Sequence, residues 1–407
     1  MEKPRFLKSG INRLLVSSIC CLAGFVSLQS VASAEVVKVG MILTYSGPDT
    51  SLGQLIDRGA SLYIKLHGND LPPGTKVEII RRDDTGVNPA VAKRLAQELI
   101  MRDHIDILTG GQWTPNTMAI ETLANQAKIP YVVMGAGGSK ITANAPYVIR
   151  TSFTLWQSCY PLGQWAAKKG YKTAYTLVSD FAPGHDAEAA FTKAFTDGGG
   201  KVIGSVRIPM QATDYLPYML KVKEAKPDVL FLFNPGGPVA TAYMKALANI
   251  GISGSKIQVI GSGDITTDEE LPNMGRAPLG VITVDHYSAA ATRKPNQEFV
   301  AAWKKAYGAN STPNFFSVGG WDGMEAIYDA IRAQKGKVTA AGTMVALRHW
   351  SDPNAPQGPI SIDPKTGDLI QHEYVRRTEE QNGHLANVEI ETLPATGDPE
   401  KQFGPKH

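Results

Sequence analysis

Two short turns hold the residue types best suited to gripping a small polar molecule. The first, Thr109-Gly-Gly-Gln-Trp-Thr114, follows the apolar run 105–108; the second, Gly135-Ala-Gly-Gly-Ser139, follows the apolar run 130–134. Between them residues 115–127 carry helical spacing, so the stretch reads as strand, turn, helix, strand, turn. Parallel strands joined by a right-handed crossover put both turns at one edge of the sheet, where the amides that open each following helix lack partners. Such an edge can cradle a carboxylate, although a glycine-rich turn after a strand is often only a tight connection. Phosphate is a poorer match. Gly135-Ala136-Gly137 would need its third glycine where Lys140 stands, and no Gly-Lys-Ser/Thr follows.

Covalent chemistry finds little to work with. The eight histidines are scattered, with no His-Glu-x-x-His, no Cys/His pairing at metal spacing and no Gly-x-Ser-x-Gly elbow. Cys159, near the start of a predicted helix, reads as a packed thiol rather than a nucleophile. Asp83 and Asp84 are adjacent on a predicted strand and therefore point to opposite faces, which suits a loop-capping pair better than an acid/base couple. No catalytic residue, metal site or cofactor is expected.

The elements around the two turns set the compartment and the architecture. Arg5, Lys8 and Arg13 precede an apolar stretch over 14–28, and Ala32-Ser33-Ala34 supplies a small-x-small cleavage pattern, so residues 1–34 read as a signal peptide for export. The apolar stretch is short for a membrane span, and Ser18-Ile19 before Cys20 is a poor lipoprotein box. Removing Lys3, Arg5, Lys8 and Arg13 together with Glu2 leaves a formally neutral chain, which recommends no nucleic-acid partner. Only Cys159 then remains, so an ordinary apolar core must carry the stability.

From residue 35 strand and helix patterns alternate to residue 150, as in an open parallel sheet, and the same grammar repeats after Thr151. One sheet would be too wide, so two lobes are expected. Helical patterns over 296–307 and 320–333, with no strand between them, return the chain to the first lobe near His286. Strand patterns over 358–362 and 369–377 take it back to the second near residues 353–358. The expected fold is therefore α/β, two doubly wound parallel-sheet lobes joined by a three-crossover hinge. Lobe 1 takes residues 35–151 with 287–356, lobe 2 takes 152–286 with 357–393, and 394–407 are expected as a disordered tail.

Over residues 35–393 the chain resembles the type I periplasmic binding proteins, specifically the branched-chain amino acid (leucine/isoleucine/valine) binding group of ABC importers. The matching features are the leader, Val39-Gly40 with Ser46-Gly47-Pro48, the Asp83-Asp84 pair, Gly135-Ala136, Ile149-Arg150-Thr151 at the first crossing, and Gly261-Ser-Gly-Asp264. The resemblance implies a periplasmic monomer that closes two lobes on a small carboxylate-bearing ligand, a branched-chain or other hydrophobic amino acid, and delivers it to ABC permease subunits. It places the ligand carboxylate at Thr114, with Gln112 and Trp113 beside it, and at the amides of Ala136, Gly137 and Gly138. Asp264 would meet the ligand ammonium; the competing reading is a turn or helix-cap aspartate. The loop Ser179-Asp-Phe-Ala-Pro-Gly184 departs from the amino-acid-binding pattern. Trp113, Trp156 and Phe181 fall at predicted cleft edges and would stack on an aromatic acid, with Leu52, Asn234 and Phe316 as further wall candidates. An aromatic carboxylate, an amide or urea is accordingly the second reading. A secreted α/β sensor or enzyme is the alternative from another class.

Overall fold

In the computed structural model, which describes residues 35–403, each lobe is built around a set of five parallel strands. The predicted leader and residues 404–407 lie outside the described residues. In lobe 1, β1 (Glu35–Leu43) is flanked on both sides, by β2 (Thr75–Asp83) and β3 (Ile107–Gly110), which is why its sequence turns continuously apolar. β4 (Tyr131–Val133) and β5 (Val148–Arg150) complete a fully parallel order β2-β1-β3-β4-β5.

The helix Thr50–His67 covers one face of this sheet together with the late helix Phe315–Ala333. Their close approach depends on glycine. A Cβ on Gly59 would sit 1.9 Å from the Ser317 carbonyl oxygen, and one on Gly320 would sit 2.1 Å from that of Ile56. Lys294–Tyr307 joins the same layer, with the Tyr307 hydroxyl donating to the Arg58 carbonyl at 2.7 Å. The two helices without an intervening strand thus cover the first sheet.

Lobe 2 repeats the order. β6 (Thr173–Asp180), β7 (Lys201–Pro209), β8 (Val229–Phe233), β9 (Gln258–Ser262) and β10 (Ile282–Asp285) run parallel as β7-β6-β8-β9-β10. Beyond β10 the sheet becomes antiparallel through β11 (Ser351–Asp352), β12 (Ile360–Ile362), β13 (Leu369–Gln381) and β14 (His384–Thr396), so it is mixed rather than purely parallel. β11 already pairs with β12, which brings residues 351–352 into this sheet ahead of the predicted crossing at 353–358.

The long hairpin β13–β14 turns at Asn382-Gly383, both in the left-handed region that a two-residue hairpin turn requires. It carries the chain past residue 394. In place of the expected loose tail, β14 continues to Thr396 and a short helix follows over Pro399–Phe403. There the Lys401 ammonium donates to Asp368 and Thr142, and the Phe403 ring lies 5.1 Å from that of Tyr160. No helix among the described residues is long and apolar enough to cross a membrane.

Candidate functional site

In both sheets the central pair, β1/β3 and β6/β8, is where successive connections leave in opposite directions, and a crevice opens beyond the carboxyl ends of such strands. The two crevices face each other. Between them lies a cavity lined by Leu52, Gln112, Trp113, Thr114, Gly135, Gly137, Phe153 and Phe316 from the first lobe's side, and by Leu155, Phe181, Pro183, Phe233, Pro235 and Asp264 from the second's. Gln112, Trp113 and Thr114 follow β3, Gly135 and Gly137 follow β4, Phe181 follows β6, Pro235 follows β8 and Asp264 follows β9.

Eight residues predicted from the sequence therefore meet around one space: Leu52, Gln112, Trp113, Thr114, Gly137, Phe181, Asp264 and Phe316. Four others do not line it. Ala136 and Gly138 lie within the turn, and the Gly138 amide is spent on the Thr114 hydroxyl at 3.1 Å. Trp156 is buried one residue beyond the lining Leu155 and stacks on Tyr160. Asn234, fully buried, accepts from the Gly236 amide at 3.0 Å and so shapes the turn that presents Phe233 and Pro235. The lining residues that sequence reasoning missed are Gly135, Phe153, Leu155, Pro183, Phe233 and Pro235. Most stand within two positions of a predicted one.

The first-lobe wall is held from behind. The Trp113 indole donates to Thr44 Oγ1 at 3.0 Å, Thr44 donates to Asp84 Oδ1 at 2.6 Å, and Asn116 donates to Asp84 Oδ2 at 2.8 Å. Gln112 is tied down similarly, accepting from the Thr44 amide and donating to the Asp49 carbonyl. Asp83 accepts from the amides of Tyr45 and Thr85, both at 2.9 Å, so both aspartates of the pair shape loops.

Thr114 opens the helix Thr114–Ala127. Its hydroxyl oxygen accepts from Gly138 and keeps its own proton to give, while its amide is among those a helix start leaves without a partner. The Gly137 amide makes no hydrogen bond among the described residues. The turn is closely packed at 137 and 138: added Cβ atoms would lie 2.5 Å from Leu155 Cδ2 and 2.4 Å from Thr114 Cγ2, so those side chains would have to move.

The second-lobe wall carries one titratable group, Asp264. It is 4 % exposed and accepts from the Ser262 hydroxyl at 2.7 Å. Burial pushes its carboxyl up to about 7, the Ser262 hydroxyl draws it partly back, and the Asp285 carboxylate adds to the rise. Arg376, the one cation nearby that would lower it, sits 3.2 Å from Asp285 Oδ2 and donates to Thr283 at 3.1 Å. Among the described residues no lysine, arginine or histidine side chain lines the cavity. Cys159 is fully buried and its thiol is pushed well up by burial, which keeps it a neutral packed group.

The lobes touch at both rims. The Ser139 amide donates to Asp186 Oδ2 at 3.2 Å, and the Asn314 side chain, which also caps the helix Phe315–Ala333, donates to Glu269 Oε2 at 2.8 Å. Burial pushes Asp186 up to about 6 and Glu269 up to about 8. The arrangement is thus a closed cleft with aromatic walls, neutral donors on one side and a protonatable carboxyl on the other.

Comparison with known proteins gives a consistent picture. A family model described as periplasmic binding protein matches residues 36–383. A Leu/Ile/Val-binding protein homolog of Brucella melitensis biotype 1 is 39% identical over 385 residues, covering 94% of this chain and 98% of that one. A solute binding protein of an ABC transporter from Rhodopseudomonas palustris BisB5, solved with 3,4-dihydroxy benzoic acid, is 44% identical with a TM-score of 0.86, over 90% of this chain and 99% of that one. A further solute binding protein from R. palustris, solved with 4-hydroxybenzoate, is 37% identical with a TM-score of 0.85, over 91% and 99% of the two chains.

Proposed function

Since the chain belongs to the type I periplasmic binding proteins, as a solute-binding protein of an ABC transporter, we propose that its ligand is a single-ring aromatic carboxylate bearing a ring hydroxyl. The observation that carries this reading is the composition of the cavity wall. Five aromatic side chains, Trp113, Phe153, Phe181, Phe233 and Phe316, surround a space with three polar side chains and no cation. Flat rings are favoured partners for such walls.

The carboxylate is received by neutral donors: the Thr114 hydroxyl, the Thr114 and Gly137 amides, and the positive end of the helix Thr114–Ala127. Asp264 takes the ring hydroxyl. A hydroxyl both donates and accepts, so it suits a carboxyl whose protonation changes near neutrality. The solute-binding proteins from R. palustris, solved with 3,4-dihydroxy benzoic acid and 4-hydroxybenzoate, support the same ligand class. The name of the Brucella relative points instead to branched-chain amino acids, which is the second reading.

Capture follows from geometry. A ligand that bridges Thr114 and Asp264 interacts with both lobes only when they are closed, so it shifts the population toward the closed form that the permease then recognises. A thermal-shift panel of leucine, benzoate, 4-hydroxybenzoate and 3,4-dihydroxybenzoate tests the ligand class. The hydroxylated acids raise the melting temperature most, and a response to leucine alone would overturn the reading.

A further inference from the structure

Arg150 does not line the cavity, yet it governs the turn that does. The side chain is completely buried at the end of β5. Its Nη1 donates to three carbonyl oxygens, those of Ala136 at 3.1 Å, Gly138 at 2.9 Å and Phe153 at 3.2 Å. Its Nε donates to Asp368 Oδ1 at 3.0 Å, and Asp368, itself fully buried, also accepts from the Thr142 hydroxyl at 2.7 Å and from the Lys401 ammonium.

A trans peptide carries its C=O and N–H in opposite directions. Drawing the Ala136 oxygen toward Arg150 therefore turns the Gly137 N–H away from it, and drawing the Gly138 oxygen does the same to the Ser139 N–H. The Ser139 amide supplies the internal check, since it reaches the opposite lobe and donates to Asp186. The Gly137 amide, reversed by the same device two residues earlier, belongs to a residue on the cavity wall and is unpartnered within the protein among the described residues. Ser152 Oγ adds a second donor to the Ala136 oxygen at 3.2 Å, and the intervening Gly138 amide is fixed on Thr114.

We propose that Arg150, locked by Asp368, is the positioning residue of the anion cradle, aiming one backbone amide at the ligand carboxylate and the next-but-one at lobe 2. The ligand half of this assignment rests on the aromatic-acid reading above; the backbone half does not. Lysine at this position keeps a positive charge opposite Asp368, but its single compact ammonium cannot hold three divergent carbonyls and the carboxylate together.

Two measurements on Arg150→Lys, with Arg150→Met as a second variant, test the assignment. In ligand-free protein, hydrogen exchange at Gly138, whose partner Thr114 is in the same lobe, accelerates by about tenfold in Arg150→Lys while β1, β3 and β4 keep their protection. In calorimetry, affinity for 4-hydroxybenzoate falls by about tenfold and affinity for its neutral isostere 4-hydroxybenzamide changes by less than about threefold, so discrimination for the charge is what is lost. Arg150→Met shows the same pattern more strongly if it folds; if it does not, the lysine variant decides. Parallel losses for acid and amide, or unchanged exchange in the turn, would overturn the positioning role. Should the wild-type protein bind neither compound, the aromatic-acid reading falls, and the exchange result alone decides whether Arg150 orients the turn.

Discussion

Replacing Asp264 with alanine tests whether its carboxyl reads a ring hydroxyl on the ligand. The carboxyl is fully enclosed and has a single hydrogen-bond donor from the protein side chains, Ser262, while its nearest charged neighbours are Asp285, which repels it, and an Arg376 already paired with Asp285. A ring hydroxyl placed against it makes a buried hydrogen bond to a charged or partly charged group, worth about 1.5–3 kcal/mol, so Asp264→Ala weakens 4-hydroxybenzoate roughly 10- to 150-fold. Benzoate has no hydroxyl to lose. In its complex the wild-type carboxyl is buried without a ligand partner, and deleting it removes a desolvation cost, so benzoate binds the variant as well as the wild type or better. Titration calorimetry with both acids at pH 7 gives the two affinities directly. Equal losses for benzoate and 4-hydroxybenzoate would refute the reasoning, because a carboxyl that reads the hydroxyl cannot weaken a ligand that lacks one.

Further outcomes follow from the same geometry. Thr114→Ala removes the hydroxyl that both anchors Gly138 and faces the cavity, and lowers affinity for every aromatic acid by roughly 1–3 kcal/mol in calorimetry; wild-type affinity would remove Thr114 from the site. Phe181→Ala strips one ring from the second-lobe wall and costs roughly 1–2 kcal/mol of ligand affinity, with little change in the melting temperature of the ligand-free protein, since Phe181 is only partly buried. Asp264, Asp186 and Glu269 are all raised by burial in the closed form, to about 7, 6 and 8. The closed form therefore binds protons more tightly than an open form with exposed carboxylates: its advantage is complete below the ordinary carboxylate range and is lost as pH rises through 6 to 8. Benzoate affinity accordingly increases as pH is lowered from 8 to 5, with proton uptake visible as a buffer dependence of the binding enthalpy. The 4-hydroxybenzoate curve is flatter, because its hydroxyl stabilises ionised Asp264.

The sheet edges were legible because their signals are local. Apolar runs closed by Gly135 and Gly261, and the helical stripes between them, locate strand ends without tertiary information, and the strand ends carry the cavity. What the sequence hides is which side chain at a strand end turns inward. At the end of β8 it is Phe233 and Pro235 that line the cavity, while Asn234 between them folds back onto the Gly236 amide. At the start of the helix Leu155–Lys168, Leu155 faces in and Trp156 faces Tyr160, a difference of one residue and about 100° of helix rotation. Phe153 gave no periodic signal, since it lies in the crossing segment rather than in an element. The carboxyl-terminal hairpin went unread although Asn382-Gly383 is a strong two-residue turn signal, because charged residues at 379, 380, 389 and 391 obscured the alternation on either side. The role of Arg150 is of another kind: it depends on three carbonyl oxygens contributed by two turns, and no local pattern encodes that convergence.

The central claim is that the closed cleft is built for an aromatic acid and not for a branched-chain amino acid. Calorimetric titration of ligand-free wild-type protein with 4-hydroxybenzoate and with leucine under one buffer condition tests it most directly. One 4-hydroxybenzoate binds per chain, at least about a hundredfold more tightly than leucine, a margin of roughly 2.7 kcal/mol. Saturable leucine binding at equal or higher affinity would contradict it.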